Sequence, residues 1–317
     1  MIVVFVIASV LGILLILSIP WNINRLTSHS RPVQSYGEAL QRIETWKGGE
    51  PAEMNPVCQV QLMTHGQKVE RVIILVHGYT NCPQQFHELG LRFYDLGYNV
   101  LIAPLPHHGL ADRMTDTQAQ LTAEELAAYT DETVDIAQGL GDQVVMMGIS
   151  AGGVATAWAA QYRQDLDLAV IISPAFGFKQ IATPLTAAIV NLYTFLPDVF
   201  VWWDPALQEE GSPAHVYPRY SKHALAQTLR FGLAVQKEAR RNPPAAQKIV
   251  MVTNGFDNSV NNELTFQVAT DWQAHQANLS RYEFEADLRL GHDLIDPAQP
   301  GQQIETVYPR LIELMSR

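Results

Sequence analysis

The sequence predicts an α/β architecture, a mostly parallel central sheet flanked by helices. Three observations predict it. Short β-branched runs alternate with helix-period segments beyond Pro56. Those runs are apolar throughout, as suits strands covered on both faces. The chain's 317 residues, 47% of them hydrophobic and 17% charged, can supply a sizeable core.

The elements follow in order. Residues 57–63 add an antiparallel edge strand. Residues 72–76 (Val-Ile-Ile-Leu-Val) form the first strong strand, and 83–96 a helix opened by Pro83 in its first turn. Strand 99–103 leads through a loop to a helix over 123–139. Strand 143–147 then leads to a helix over 152–163 and a strand over 168–172. About 75 residues separate this strand from the next, at 248–253, too many for a simple crossover. Helix 263–273, strand 282–285 and helix 303–314 complete the chain. In a sheet of this kind the loops at the carboxyl ends of the strands form the working site.

Composition excludes several classes. Twenty-one Lys plus Arg against 32 Asp plus Glu leave a formal net charge of −11. That balance offers no footprint for a phosphate backbone, so nucleic acid is a poor partner. With only Cys58 and Cys82, neither a disulfide-dense scaffold nor a cysteine-rich zinc module can form.

Residues 1–21 read as a single-pass transmembrane anchor. Residues 1–19 carry no charged side chain and as a helix would run ~28 Å, close to the bilayer's hydrocarbon thickness. Pro20 and Trp21 close the run, and Arg25 and Arg31 mark its water side. A cleaved signal peptide is the rival, but it lacks a basic start and a small-residue cleavage site. The positive charge after the span favours a cytoplasmic domain. A Cys58–Cys82 bridge would instead need an oxidising compartment, so the side of the membrane stays open. Residues 22–55 are polar and read as a tether with one helix around 35–45, leaving 56–317 as the globular domain.

Gly148-Ile149-Ser150-Ala151-Gly152 lies directly between a strand and a helix. A serine there makes a sharp, strained turn, and side chains two positions either side would collide; Gly148 and Gly152 remove the collision. The turn lifts the Ser150 hydroxyl above the sheet, where the following helix N-terminus favours developing negative charge. Ser150 is therefore the candidate nucleophile, against the plainer reading of a glycine-rich packing turn.

At this motif the chain resembles the α/β-hydrolase family, in particular its serine esterases, monoacylglycerol-lipase-like enzymes and serine aminopeptidase group, over residues 57–317. The resemblance implies that His77-Gly78-Tyr79-Thr80 supplies the oxyanion loop. Gly78 would let the backbone turn beside the nucleophile, and Tyr79 and Ala151 would give the N–H donors. It also implies a catalytic histidine after the last strand, where Gly291-His292-Asp293 stands, and an acid after the penultimate strand. Asp257 in Asn254-Gly255-Phe256-Asp257-Asn258-Ser259-Val260 fits that place. An Asx-turn is the plainer reading of Asp257. The order Ser150, Asp257, His292 is the hydrolase order.

The long insertion, residues 175–246, resembles a helical cap placed before the penultimate strand. Its apolar residues, Phe176, Phe178, Trp202 and Trp203 among them, are expected to wall an acyl pocket or to form the cap's own core. His107 stands where the family carries a glycine, a departure expected to narrow the pocket mouth. His107, His108 and Asp112 lack His-x-His spacing, so no metal is expected. The implied function is a membrane-anchored serine hydrolase of apolar or lipid-like carboxylic esters, without a cofactor. An aminopeptidase or amidase on the same machinery is the alternative, with Glu209 and Glu210 as candidate holders of a free amine. A non-catalytic binding protein of this fold is the rival from another class.

Overall fold

A computed structural model describes residues 17–316 of the chain. The central sheet has seven strands: β1 (Gln61–Met63), β2 (Val69–Val76), β3 (Asn99–Ile102), β4 (Gly141–Ile149), β5 (Leu168–Ile172), β8 (Lys248–Asn254) and β9 (Leu279–Phe284). Their order is β1-β3-β2-β4-β5-β8-β9. Only the edge pair β1–β3 is antiparallel; the other five pairings are parallel. The mostly parallel, helix-flanked sheet expected from the apolar runs is therefore present.

The continuous apolar runs arise because both faces of the sheet are covered. Along β2, Val72, Ile74 and Val76 enter one core while Ile73 and Leu75 enter the other. Helices α2 (His87–Asp95) and α9 (Ile304–Ser316) cover the second face through Phe93, Val307 and Leu311. On the first face lie α3 (Ala123–Leu140) and α4 (Ala151–Tyr162), followed by α7 (Lys222–Ala239) and α8 (Asn262–Ala274). Thr122 and Glu125 start α3 with a reciprocal capping box. The helix expected over 83–96 divides at Phe86, where a 3₁₀ turn opened by Pro83 gives way to α2.

Register sets the working rim. Val76 lies opposite Gly148, Ile149 opposite Ile172, and Ile172 opposite Val252. The loops after β2, β4, β5 and β8 therefore leave the sheet along one edge.

The insertion between β5 and β8 has two parts. Helix α5 (Thr186–Phe195), the two-stranded sheet β6 (Phe200–Trp202) with β7 (Arg219–Ser221), and the short α6 (Leu207–Glu210) stand over the rim. The sequence then returns along α7, whose Phe231 and Val235 belong to the main core and pack on α3 and α4.

The expected single-pass anchor is corrected. No helix among the described residues is long and apolar enough to cross a membrane. Residues 1–16 of that span lie outside the described residues.

Residues 22–55, expected as a tether, are bound to the domain. Helix α1 (Tyr36–Gly48) buries Ala39 and Ile43, and the segment before it buries Leu26 and Val33. Trp158 donates its indole N–H to the Leu26 carbonyl at 3.0 Å. The Ser28 hydroxyl and the His29 N–H donate to Asp131, and the Arg31 N–H donates to Asp135, each at 2.6 Å. The segment is held through the Ser28 hydroxyl and backbone N–H groups on buried carboxylates, while the His29 and Arg31 residues stay exposed.

Candidate active site

Ser150 sits between β4 and α4 with φ 57° and ψ −113°, a strained conformation for a non-glycine residue. The turn is held from both sides. Ser150 N–H donates to the Ile172 carbonyl at 3.0 Å, and the Ser150 carbonyl accepts from Val154 and Ala175. A Cβ on Gly148 would come within 2.2 Å of the Gly152 carbonyl oxygen, and one on Gly152 within 2.1 Å of the Val76 carbonyl oxygen. Backbone cannot step aside at such distances, so glycine is obligatory at both positions.

The loop after β2 runs beside this turn. His77 is fully buried, with Nδ1 2.8 Å from the Gly78 carbonyl and Nε2 accepting the Leu105 N–H at 2.8 Å. This imidazole is a structural strut, and its burial, first among the causes, holds its pKa well below the ordinary value. Gly78 N–H donates to Gln85 Oε1 at 2.8 Å. Among the described residues, no acceptor meets the backbone N–H of Tyr79 or, at the first position of α4, that of Ala151. The Tyr79 side chain turns away from the rim, donating its hydroxyl to Gln118 Oε1 at 2.6 Å and accepting from Ser221 N–H at 3.1 Å.

His292 and Asp257 meet from the loops after β9 and β8, with Nδ1 2.7 Å from Oδ2. The other carboxylate oxygen of Asp257 accepts the N–H groups of Ser259 and Val260. One Asp257 oxygen thus closes an Asx-turn while the other faces the imidazole. Burial opposes ionisation of Asp257, but the His292 charge, their shared hydrogen bond and the two backbone donors outweigh it and lower its pKa. Burial likewise opposes charge on His292; Asp257, helped by Asp293, outweighs it and raises the imidazole's pKa.

Ser150 and His292 line one cavity of about 300 Å³, together with Gly78 and Tyr79. Its apolar wall comes from the insertion and its approaches, through Phe178, Trp203, Leu207, Val216 and Leu225. Trp203 donates to the Thr80 hydroxyl at 2.8 Å and meets the Tyr79 ring edge-on. The opposite wall is polar: Asn81, Gln85, Asp293 and Gln299.

Three expected pocket residues lie elsewhere. Phe176 is fully buried in the main core, where Gly232 leaves room for its ring. Trp202 belongs to β6 and does not line the cavity. His107 turns with φ 64°, places Nε2 3.0 Å from Glu125 Oε1, and lines a separate hollow beside Trp46 and Met54. It does not narrow the mouth. Cys58 and Cys82 are joined by a disulfide, which fastens the chain just after the Tyr79 loop. The polar wall was not singled out from sequence; the only hint is the placing of Asn81 and Gln85 four residues apart after His77-Gly78, and of Asp293 beside His292.

The family described as Serine aminopeptidase, S33, matches residues 67–251, more than half of the chain. The chain belongs to this family. A thermostable monoacylglycerol lipase of Bacillus sp. (strain H-257) is 25% identical over 120 residues, a stretch that covers 36% of this chain and 44% of that relative. The match therefore spans less than half of that relative's length. Among solved structures, LipS and LipT, two metagenome-derived lipolytic enzymes, give a TM-score of 0.61 at 19% identity, covering 83% of this chain and 99% of theirs. The Paleococcus ferrophilus monoacylglycerol lipase gives 0.60 at 16%, covering 81% and 97%. Likeness at that identity speaks for the fold, and the chain is an α/β-hydrolase.

Proposed function

We propose that the chain is a serine hydrolase that cleaves carboxylic esters of apolar, lipid-like acyl groups through an acyl-enzyme. The observation that carries this reading is the convergence of the Ser150 turn and the Asp257–His292 pair on one apolar-walled cavity. With Nδ1–H committed to Asp257, His292 keeps Nε2 as the acceptor for the Ser150 hydroxyl proton. Ser150 Oγ then attacks the ester carbonyl. The negative charge that develops on its oxygen is held by the unshared N–H groups of Tyr79 and Ala151, each such donor being worth ~10²–10³ in rate. Collapse expels the alcohol, protonated by the His292 imidazolium. Water, deprotonated by the same ring, releases the acid and restores Ser150. These steps use side chains, two backbone N–H groups and water.

The family description raises an aminopeptidase reading, in which a carboxylate must grip the substrate's ammonium. Among the described lining residues the only carboxylate is Asp293, whose oxygens are occupied by protein donors. The side chains of Glu209 and Glu210, expected as candidate holders of that ammonium, lie outside the described residues. A panel of p-nitrophenyl acyl esters run beside amino-acid anilides tests the choice, with fluorophosphonate labelling of wild type and Ser150→Ala. Ester turnover and labelling that both vanish in Ser150→Ala are expected. Faster anilide cleavage would replace the reading with the aminopeptidase, and a wild-type chain that never labels would replace it with a binding protein.

A further inference from the structure

Asp293 follows the imidazole in sequence, and its carboxylate sits in the wall of the same cavity with no acceptor position left for a ligand. Oδ2 accepts from Asn81 Nδ2 at 3.0 Å and from Gln299 Nε2 at 3.3 Å. Oδ1 accepts from the N–H groups of Ile295 at 3.3 Å and Asp296 at 3.1 Å. A carboxylate offers about four lone-pair sites, so this one is saturated.

One of its partners, Asn81, holds the Tyr79 loop, and Gln85 stands beside it in the cavity wall. Gln85 accepts the Gly78 N–H at 2.8 Å, which removes that donor from the cavity and leaves the next amide, that of Tyr79, unshared. Asn81 donates its own N–H to the Gly78 carbonyl at 3.1 Å and accepts Cys82 N–H on Oδ1 at 2.8 Å. Its remaining polar group, Nδ2, goes to Asp293. One half-buried carboxylate thus ties the loop that carries His292 to the loop that carries the amide of Tyr79.

We propose that Asp293 is a positioning residue that sets the Tyr79 amide against His292 by way of Asn81. The inference rests on the ester-hydrolase reading above and adds to it a way of joining two separately encoded loops. Such a residue touches no substrate. Its loss should weaken the developing oxyanion's contacts and leave ground-state binding alone.

The test is steady-state hydrolysis of p-nitrophenyl butyrate by the full chain. In Asp293→Asn the shape is kept, but an NH₂ group is brought against the amide donors of Asn81 and Gln299. The expected result is a kcat lower by roughly 10–100-fold with KM changed less than ~2-fold, as for a misplaced oxyanion donor. Asn81→Asp alone should lose a similar factor. Combined with Asp293→Asn, it restores a donor–acceptor pair in the opposite sense and should recover at least roughly tenfold of kcat. Losses that simply multiply in the double variant, or that fall on KM, overturn the proposal. Should Asp293→Asn fail to fold, Asn81→Ala carries the same measurement, with a kcat loss expected and a KM loss overturning. If wild type shows no Ser150-dependent turnover, the ester reading fails and takes this inference with it. If wild type turns over and Asp293→Asn matches it, the coupling alone fails.

Discussion

Asp257 Oδ2 and His292 Nδ1 stand 2.7 Å apart although 35 residues of chain separate them. Two loops bring them together, one leaving β8 and one leaving β9, and the pairing of Asn254 with Phe284 sets both departures level. Asn254 adds a second tie, donating Nδ2 to the carbonyls of Leu290 and Gly291 just before the imidazole. The pair is thus fixed by backbone as well as by charge.

That pairing predicts a pH profile. Neutral His292 is the active form of a general base, and its pKa is raised in the folded chain. Ester kcat/KM should therefore fall as pH drops through a midpoint above the ordinary imidazole value of about 6.5. Asp257→Asn removes the charge that raises it, so the midpoint should move to lower pH while kcat falls by roughly 10²–10⁴. Rate–pH profiles of the two proteins check both effects; an unmoved midpoint would contradict the assignment.

Gly152→Ala should yield little folded protein and no ester turnover, since its Cβ would lie 2.1 Å from a backbone oxygen of β2. Gly37→Ala is the control, because nothing stands within 4 Å of the added methyl in α1. It should leave turnover unchanged and stability equal or higher by up to about 1 kcal/mol. Thermal denaturation and soluble yield distinguish the two.

Arg163 is nearly inaccessible and bonds Asp131 at 3.0 Å, Asp135 at 2.6 Å and Asp165 at 2.7 Å. Arg163→Met would strand the first two carboxylates in the interior. A loss of about 3–5 kcal/mol in urea unfolding is expected. Because Asp131 and Asp135 also hold residues 28–31, faster proteolysis in that segment should accompany it.

Reduction of the Cys58–Cys82 bridge opens a loop with a sequence separation of 24. A chain-entropy estimate for such a loop is about 3 kcal/mol, and unfolding with and without dithiothreitol measures it. Cys82 N–H supports Asn81, so ester turnover should decline with the bond rather than only at the unfolding transition.

The sheet was legible because its signals are local. Unbroken β-branched runs say that both faces are covered, and the glycine spacing around Ser150 states its own steric reason. The meeting of Asp257 with His292 was legible from their places after β8 and β9. The pocket wall was not. Phe176 and Phe178 are two residues apart and equally apolar, yet one fills the core and the other the cavity. Only the packing of Gly232 against Phe176 separates them. Residues 28–31 misled for a related reason: their partners are more than a hundred positions away, at Asp131 and Asp135, and no composition of the segment itself reports them.

Tyr79 serves two regions at once. Its amide is open to the cavity, while its phenol grips Gln118 and Ser221, the residue at which β7 passes into α7. Swapping this insertion for that of a relative is consequently not a modular exercise. A chimaera spliced at the ends of the overhanging segment would keep the phenol's bond to Gln118 but lose the native Ser221 side of the clasp. Its hydrolytic floor would then need redesign along with its roof.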